Sequence, residues 1–217
     1  MKNLNSKSSR HRDGAETRAS ILKAAECIYA ENGLAGARTD AIAAAAGVNK
    51  ALLYYYFKSK EGLYQAVIGS QLRDFRRQAE EVLSTKGPAG PILLRYVSDH
   101  IDFIAKHPCY PRIFQRMLME GDRTLARMAR EHSVPLMRKL GALLARGMRA
   151  GEFRPLDREH TIVSIAGLTG HYFNVAPAIR AITGKDPYSK SNLAKRKAEV
   201  LSFIRYALFR NPEAAEQ

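Results

Sequence analysis

The stretch TDAIAAAAGVNKALLYYYFKSKE, residues 39–61, reads as two short helices joined by a tight turn, the layout of a helix-turn-helix. Thr39 suits the N-cap of the first helix. Ile42 followed by a run of alanines gives a narrow rod that neighbours approach closely, and Gly47 supplies the left-handed position that ends it. Asn49 starts the second helix. Leu52, Leu53 and Tyr56 are expected to face inward there, while Asn49, Lys50, Ala51, Tyr54 and Tyr55 stay on the outer side, available to a duplex. Ser59 is placed to cap a third helix that Lys60 and Glu61 open.

Around this stretch the chain is uniformly helical in character. It has 217 residues, is 46% hydrophobic and 26% charged, lacks tryptophan, and has enough length for a small head and a larger body. Periodicity runs on to Leu83 and breaks at Gly87-Pro88 and Gly90-Pro91. It resumes over Ile92–Lys106, Arg112–Glu120, Asp122–Ala150, Asp157–Thr183 and Ser189–Arg210, with Gly121, Gly151, Pro155, Gly184 and Pro187 at the joints. The expectation is an all-α fold of about nine helices: a disordered basic arm over 1–12, a DNA-binding domain over 13–60 and a helical body over 61–217. No run of ~18 uncharged apolar residues and no signal peptide is found, which predicts a cytoplasmic protein with no membrane contact. Cys27 and Cys109 stand alone in the sequence and are expected to be reduced.

The net charge is +14, with a sequence pI near 10.0. The arm holds Lys2, Lys7, Arg10 and Arg12 and no acid, basic and acidic residues balance from Asp13 to Ser70, and the remaining excess belongs to the body. The charge therefore supports nonspecific attraction to DNA without locating the reading head. Enzyme motifs are missing: there is no Gly-x-Ser-x-Gly elbow, phosphate-binding glycine loop or His-Glu-x-x-His. His100, His107 and Cys109 have a spacing unlike the usual zinc pairs. Neither catalysis nor a metal or cofactor is expected.

The head resembles the TetR family of bacterial transcriptional regulators. Its pattern of a threonine-led helix, Ile-Ala, Ala-Gly-Val, Lys, Leu-Tyr, an aromatic pair and Phe-Lys-Ser-Lys-Glu is met almost throughout Thr39–Glu61. Thr17-Arg18, Ile21-Leu22, Ala24-Ala25 and Glu31-Asn32-Gly33 match its first helix, so the likeness covers roughly residues 16–66. The departures are Ile28 for the usual phenylalanine, Arg38 for Ser or Thr, and Ala51-Leu52 on the recognition helix. The resemblance implies a three-helix head on a helical body that dimerises and holds a small-molecule effector, with double-stranded operator DNA in the form of an inverted repeat as partner. Sequence-tolerant architectural DNA binding without an effector is the alternative, and a helical enzyme a remote one.

Roles follow from residue type. Lys50 can reach guanine O6 and N7, with Asn49, Ala51 and Arg38 beside it. Thr39, Tyr54, Tyr55 and Lys60 suit phosphate contacts, Lys60 by adding its charge to a helix N-terminus. Candidate effector contacts are Tyr96, Phe103, Phe114, Met117, Leu118, Met137, Leu168, His171 and Tyr172, with His171 and Tyr172 picked out as adjacent polar-tipped rings in an apolar helix. That helix has two apolar stripes and so needs covering twice. With the last helix it predicts a four-helix dimer interface through Ile162, Thr169, Phe173, Val200, Phe203, Ile204 and Leu208.

Overall fold

The computed structural model describes residues 5–120 and 123–213, with side chains from 14 to 119 and from 126 to 213. Helix α1 covers Asn5–Gly36, α2 Thr39–Ala46, α3 Lys50–Phe57, α4 Lys60–Leu83, α5 Ala89–Lys106, α6 Tyr110–Glu120 and α7 Arg123–Met128. A π-helical turn, Ala129–Ser133, leads into α8, Val134–Arg149, followed by α9, Arg158–Asn174, α10, Ala176–Thr183, and α11, Lys190–Leu208. Among the described residues the only extended pairing is the isolated bridge between Phe153 and Phe209.

Local chemistry sets the helix ends. Gly47 (φ 69°) closes α2 in the left-handed region and donates its N–H to the carbonyls of Ala43 and Ala44. Asn49 caps α3 by accepting from Leu52 N at 2.8 Å, Ser59 accepts from Gly62 N at 2.9 Å in the first turn of α4, and Asp157 caps α9. Thr39 is not the cap expected of it. Arg38 holds that position without a side-chain bond, and Thr39 is the first helical residue, buried.

Two helices expected to be continuous are broken, and proline explains both. Pro135 has no N–H to give to the turn before it, and Val134 donates five residues back to Ala129, which opens the π turn between α7 and α8. Pro177 in the first turn of α10 interrupts the helix at Val175, and α9 and α10 meet at 57°. At the amino end, residues 1–4 of the expected disordered arm lie outside the described residues. The backbone from Asn5 is helical, since nothing between there and Gly14 breaks a helix begun further on. Neither cysteine is a free thiol, contrary to the reduced state expected of them.

The chain forms two compact units, one of Met1–Gln71 with Arg112–Thr124, the other of Leu72–Pro111 with Leu125–Gln217. The sequence placed the division at residue 60 and did not foresee that a later segment joins the first unit. In that unit Ile21, Ala25, Tyr29, Ile42, Leu53, Leu63 and Val67 are buried together with the ring of Tyr64, which meets Tyr29 edge-on at 5.0 Å. Arg116 of α6 closes the end of α1 by donating to the carbonyls of Ala30 (3.0 Å) and Glu31 (2.8 Å). In the second unit α5 is the central rod, packed by α8, α9 and α11. Glu152 accepts from both Ala89 N (2.9 Å) and Gly90 N (2.7 Å), satisfying donors at the start of α5. Gly147 lets the ring of Phe153 lie against α8, where an added Cβ would sit 2.3 Å from it.

Candidate nucleic-acid interface and effector region

The recognition helix is fixed from beneath and open above. Leu53 and Phe57 are buried, Leu52 and Tyr56 are half-buried, and Ala51, Tyr54 and Tyr55 are exposed, Tyr55 at 68%. Arg18 lies over the Phe57 ring at 5.1 Å and anchors α3 to α1. Burial of one edge thus forces the opposite edge toward solvent, which brings Lys50, Ala51, Tyr54 and Tyr55 to one accessible face.

The predicted contacts differ in how free they are. Asn49 is exposed but its side-chain oxygen is engaged as a cap. Lys50 Nζ sits 2.9 Å from Asp40 Oδ1, and this bond holds its ammonium above the usual lysine range. Arg38 is exposed. Thr39 Oγ1 lies 3.5 Å from Tyr54 Oη, so that pair shares one edge of the face. Lys60 is half-buried, and its Nζ donates to Ala35 O at 2.9 Å, which closes the carboxyl end of α1. Tyr29 Oη in turn donates to Lys60 O at 2.8 Å. The backbone of Lys60 is thereby locked to the head core, while its ammonium serves a carbonyl before it can serve a phosphate.

Two elements of this face had no signal in the sequence. Asp40, ten residues before Lys50, meets it only through the turn between α2 and α3. Lys58 is a non-glycine residue at φ 65°, a conformation costing about 1 kcal/mol or more that the α3–α4 corner imposes. Its Nζ returns to Tyr55 O at 3.1 Å and lies over the Tyr55 ring.

The expected effector contacts fall in both units. Phe114, Met117 and Leu118 group with the first unit, the other six with the second. Leu118 is 49% exposed and Met137 38% exposed, so neither is an interior contact of the chain. His171 is exposed as well, because it is out of phase with the buried stripe Ile162, Ile165, Thr169 and Phe173. Tyr172 is half-buried, with its hydroxyl donating to Pro187 O at 3.2 Å and Arg196 over its ring at 5.2 Å. Tyr96 and Phe103 do meet, through Phe75, which the sequence did not single out, beside His100. Phe75 lies 6.3 Å from Tyr96 and 5.2 Å from Phe103 and stacks on His100 at 4.4 Å. His100 Nδ1 is 3.0 Å from Thr169 Oγ1, and burial brings its pKa down to about 4. Phe75, Gln78, Ala79, Val82, Tyr96, Asp99 and His100 line a crevice too narrow to hold a water molecule. Among the described residues no group of three His, Cys, Asp or Glu side chains is arranged to hold a metal ion.

The expected dimer residues need correction too. Ile162, Thr169, Phe173, Val200 and Ile204 are buried within the chain, because α9 and α11 spend those stripes on α5, on α8 and on each other. Phe203 is 61% exposed, with Tyr206 at 55% and Val163 at 62%; Leu208 is half-buried. Phe203, Ala207 and Leu208 line one side of an open groove and Thr161, Ser164 and Leu168 the other. The outward apolar face therefore lies one helical position away from the stripe that periodicity identified.

Residues 21–67 match the bacterial regulatory proteins of the tetR family, and residues 92–204 match the tetracyclin repressor-like C-terminal domain. The HTH-type transcriptional regulator RutR of Escherichia coli is 31% identical over 164 residues, which is 76% of this chain and 77% of RutR. Similar folds include the regulator FadR of Bacillus subtilis in complex with stearoyl-CoA, at TM-score 0.69 and 24% identity over 86% of this chain and 96% of that one. A transcriptional regulator of Saccharomonospora viridis in complex with choline has TM-score 0.70 and 17% identity over 91% of this chain and 100% of that one.

Proposed function

The chain belongs to the TetR family of bacterial regulatory proteins, and on that premise we propose that it is a repressor that holds an inverted-repeat operator as a dimer and lets go when a small molecule binds its body. The observation that carries this reading is the face of α3. Lys50, Ala51, Tyr54 and Tyr55 stand clear of a buried underside, with Arg38 exposed nearby. Such a helix fits the major groove, where Lys50 reads a guanine and Tyr54, Tyr55 and Thr39 hold the backbone. Lys60 adds charge near the start of α4, the phosphate role carried by a side chain already tied to Ala35.

Dimerisation follows from the exposed Phe203, Tyr206 and Val163 on α11 and α9. Apolar rings on adjacent helix faces gain most from a second copy related by two-fold symmetry, and that symmetry sets two recognition helices ~34 Å apart on two half-sites. The effector works by differential affinity: it prefers the state whose heads do not match this spacing, with a coupling of ~1 to 3 kcal/mol. FadR and the choline-bound regulator, which carry stearoyl-CoA and choline in related folds, support a body that takes a small molecule. We read the protein as a cytoplasmic regulator and not as an enzyme, a reading supported by its likeness to RutR, an HTH-type transcriptional regulator.

The net charge of +14 favours one second reading, sequence-tolerant architectural binding. Selecting bound fragments from a random DNA pool, with and without a metabolite mixture, separates the two. An enriched inverted repeat lost in the presence of metabolites supports the repressor; a pool bound without enrichment supports the architectural protein.

A further inference from the structure

His132 is the polar group of the second unit whose burial is hardest to explain by folding. Its residue is 5% exposed, and neither Nδ1 nor Nε2 has a hydrogen-bond partner among the described residues. Glu131 Oε2 lies 3.7 Å from Nε2, beyond hydrogen-bond reach. A buried imidazole lacking both its bonds is a standing cost to the fold, which a core phenylalanine or leucine would remove. The ring sits on the π turn Ala129–Ser133, which Pro135 opens and which has a geometry frequent at functional sites. From α4, Arg76 Nη1 donates to Glu131 O at 2.8 Å, which seats that helix against the turn. Burial, and then the positive charge of Arg76 and Arg73, disfavours the cationic form of the imidazole, with Glu131 opposing them.

We propose that His132 is an effector contact, and that the group it takes is the carboxylate of a small organic acid, drawn by the field of Arg73 and Arg76. The chemistry is complementary. A carboxylate offers acceptors to the unsatisfied ring, and its charge is favoured by two guanidiniums, against the exposed Glu131 and against Glu80, the latter 3.9 Å from Arg76. A neutral ligand of the same shape would forgo that attraction. Nδ1, further along the ring from Glu131, is the atom assigned to the acid. This inference rests on the ligand-responsive reading above and narrows it to an anionic effector.

The test uses the intact protein with benzoate and hexanoate as probes, each compared with its primary amide by isothermal titration. At least one acid is expected to bind tenfold or more tightly than its amide. His132→Phe and Arg76→Gln should each weaken that acid tenfold or more, and Lys50→Ala should leave it unchanged. His132→Phe should melt no lower than wild type, since it removes two unpartnered polar atoms; a histidine with a merely structural role would lose stability. Arg73→Gln, on an exposed position of α4, keeps the test open if the buried variant folds poorly, and should weaken the acid at least threefold. Equal binding of acid and amide, no binding of either acid, or acid binding indifferent to His132 and Arg73 overturns the inference. The ligand-responsive reading falls separately, only if no component of a metabolite mixture releases operator.

Discussion

Lys50 Nζ and Asp40 Oδ1 stand 2.9 Å apart across the turn of the helix-turn-helix, so the cation assigned to base reading is paired with an acid of the preceding helix. The side chains are 48% and 73% exposed, respectively, so the pair is weak and salt-screened, and opening it on a duplex costs little. Its effect is on position, because it holds a long side chain on the outer face of α3.

Lys50→Ala is expected to cost ~1 to 3 kcal/mol at the operator and to relax preference at one base pair per half-site. Asp40→Asn should act in the opposite direction on nonspecific DNA, raising affinity for unrelated duplex by removing a negative charge from the reading face. Anisotropy titrations against single-base variants of the operator check both; an unchanged base preference in Lys50→Ala transfers specificity to Arg38 or to DNA shape.

Lys60→Ala is expected to have two effects. Loss of the bond to Ala35 O should destabilise the head by about 1 kcal/mol. Binding to all DNA sequences should weaken alike, with the salt-dependence slope reduced by about one. Thermal melting and salt titrations separate them: a drop in melting temperature with an unchanged slope assigns Lys60 to the head alone.

His100 gives the stability a pH dependence. Its folded pKa of about 4 lies below the ordinary 6.5 because burial disfavours the cation. Between these values the unfolded chain binds the extra proton. The contribution is therefore complete above about pH 6.5 and falls away as the pH drops toward 4, by at most ~3 kcal/mol. His100→Gln, which can keep a bond to Thr169, should flatten that part of the curve, measured as the difference between the two proteins in urea melts at each pH. Parallel curves would remove His100 as the cause.

Phe203→Glu is expected to give a folded monomer, since the ring is exposed within one chain, and to weaken binding to a palindromic operator at least 100-fold. Sedimentation checks the assembly and melting checks the fold. A wild-type monomer would contradict the premise.

The reading head was legible in the sequence because its signals are local. Gly47 ends one helix, Asn49 caps the next, and the alternation of buried Leu53 and Phe57 with exposed Tyr54 and Tyr55 follows from helical period. The body was less legible because its signals depend on what packs where. Periodicity marked Ile162, Thr169 and Phe173 as an apolar stripe but could not say that α5 and α8, and not a second subunit, cover it. It likewise marked His171 as internal when the ring is outward, weighed His100 only as a metal ligand, and overlooked His132; the burial of both arises from helices distant in sequence. Proline was read at the joints but not inside helices, so the breaks before Pro135 and Pro177 were missed.

The central claim is that two heads read two half-sites together, and it is tested most directly by the affinity of the wild-type protein for its selected inverted repeat against the same duplex with one half-site scrambled, at one salt concentration. A loss of 100-fold or more on scrambling is the expected result; a change of less than twofold would contradict paired, sequence-specific reading.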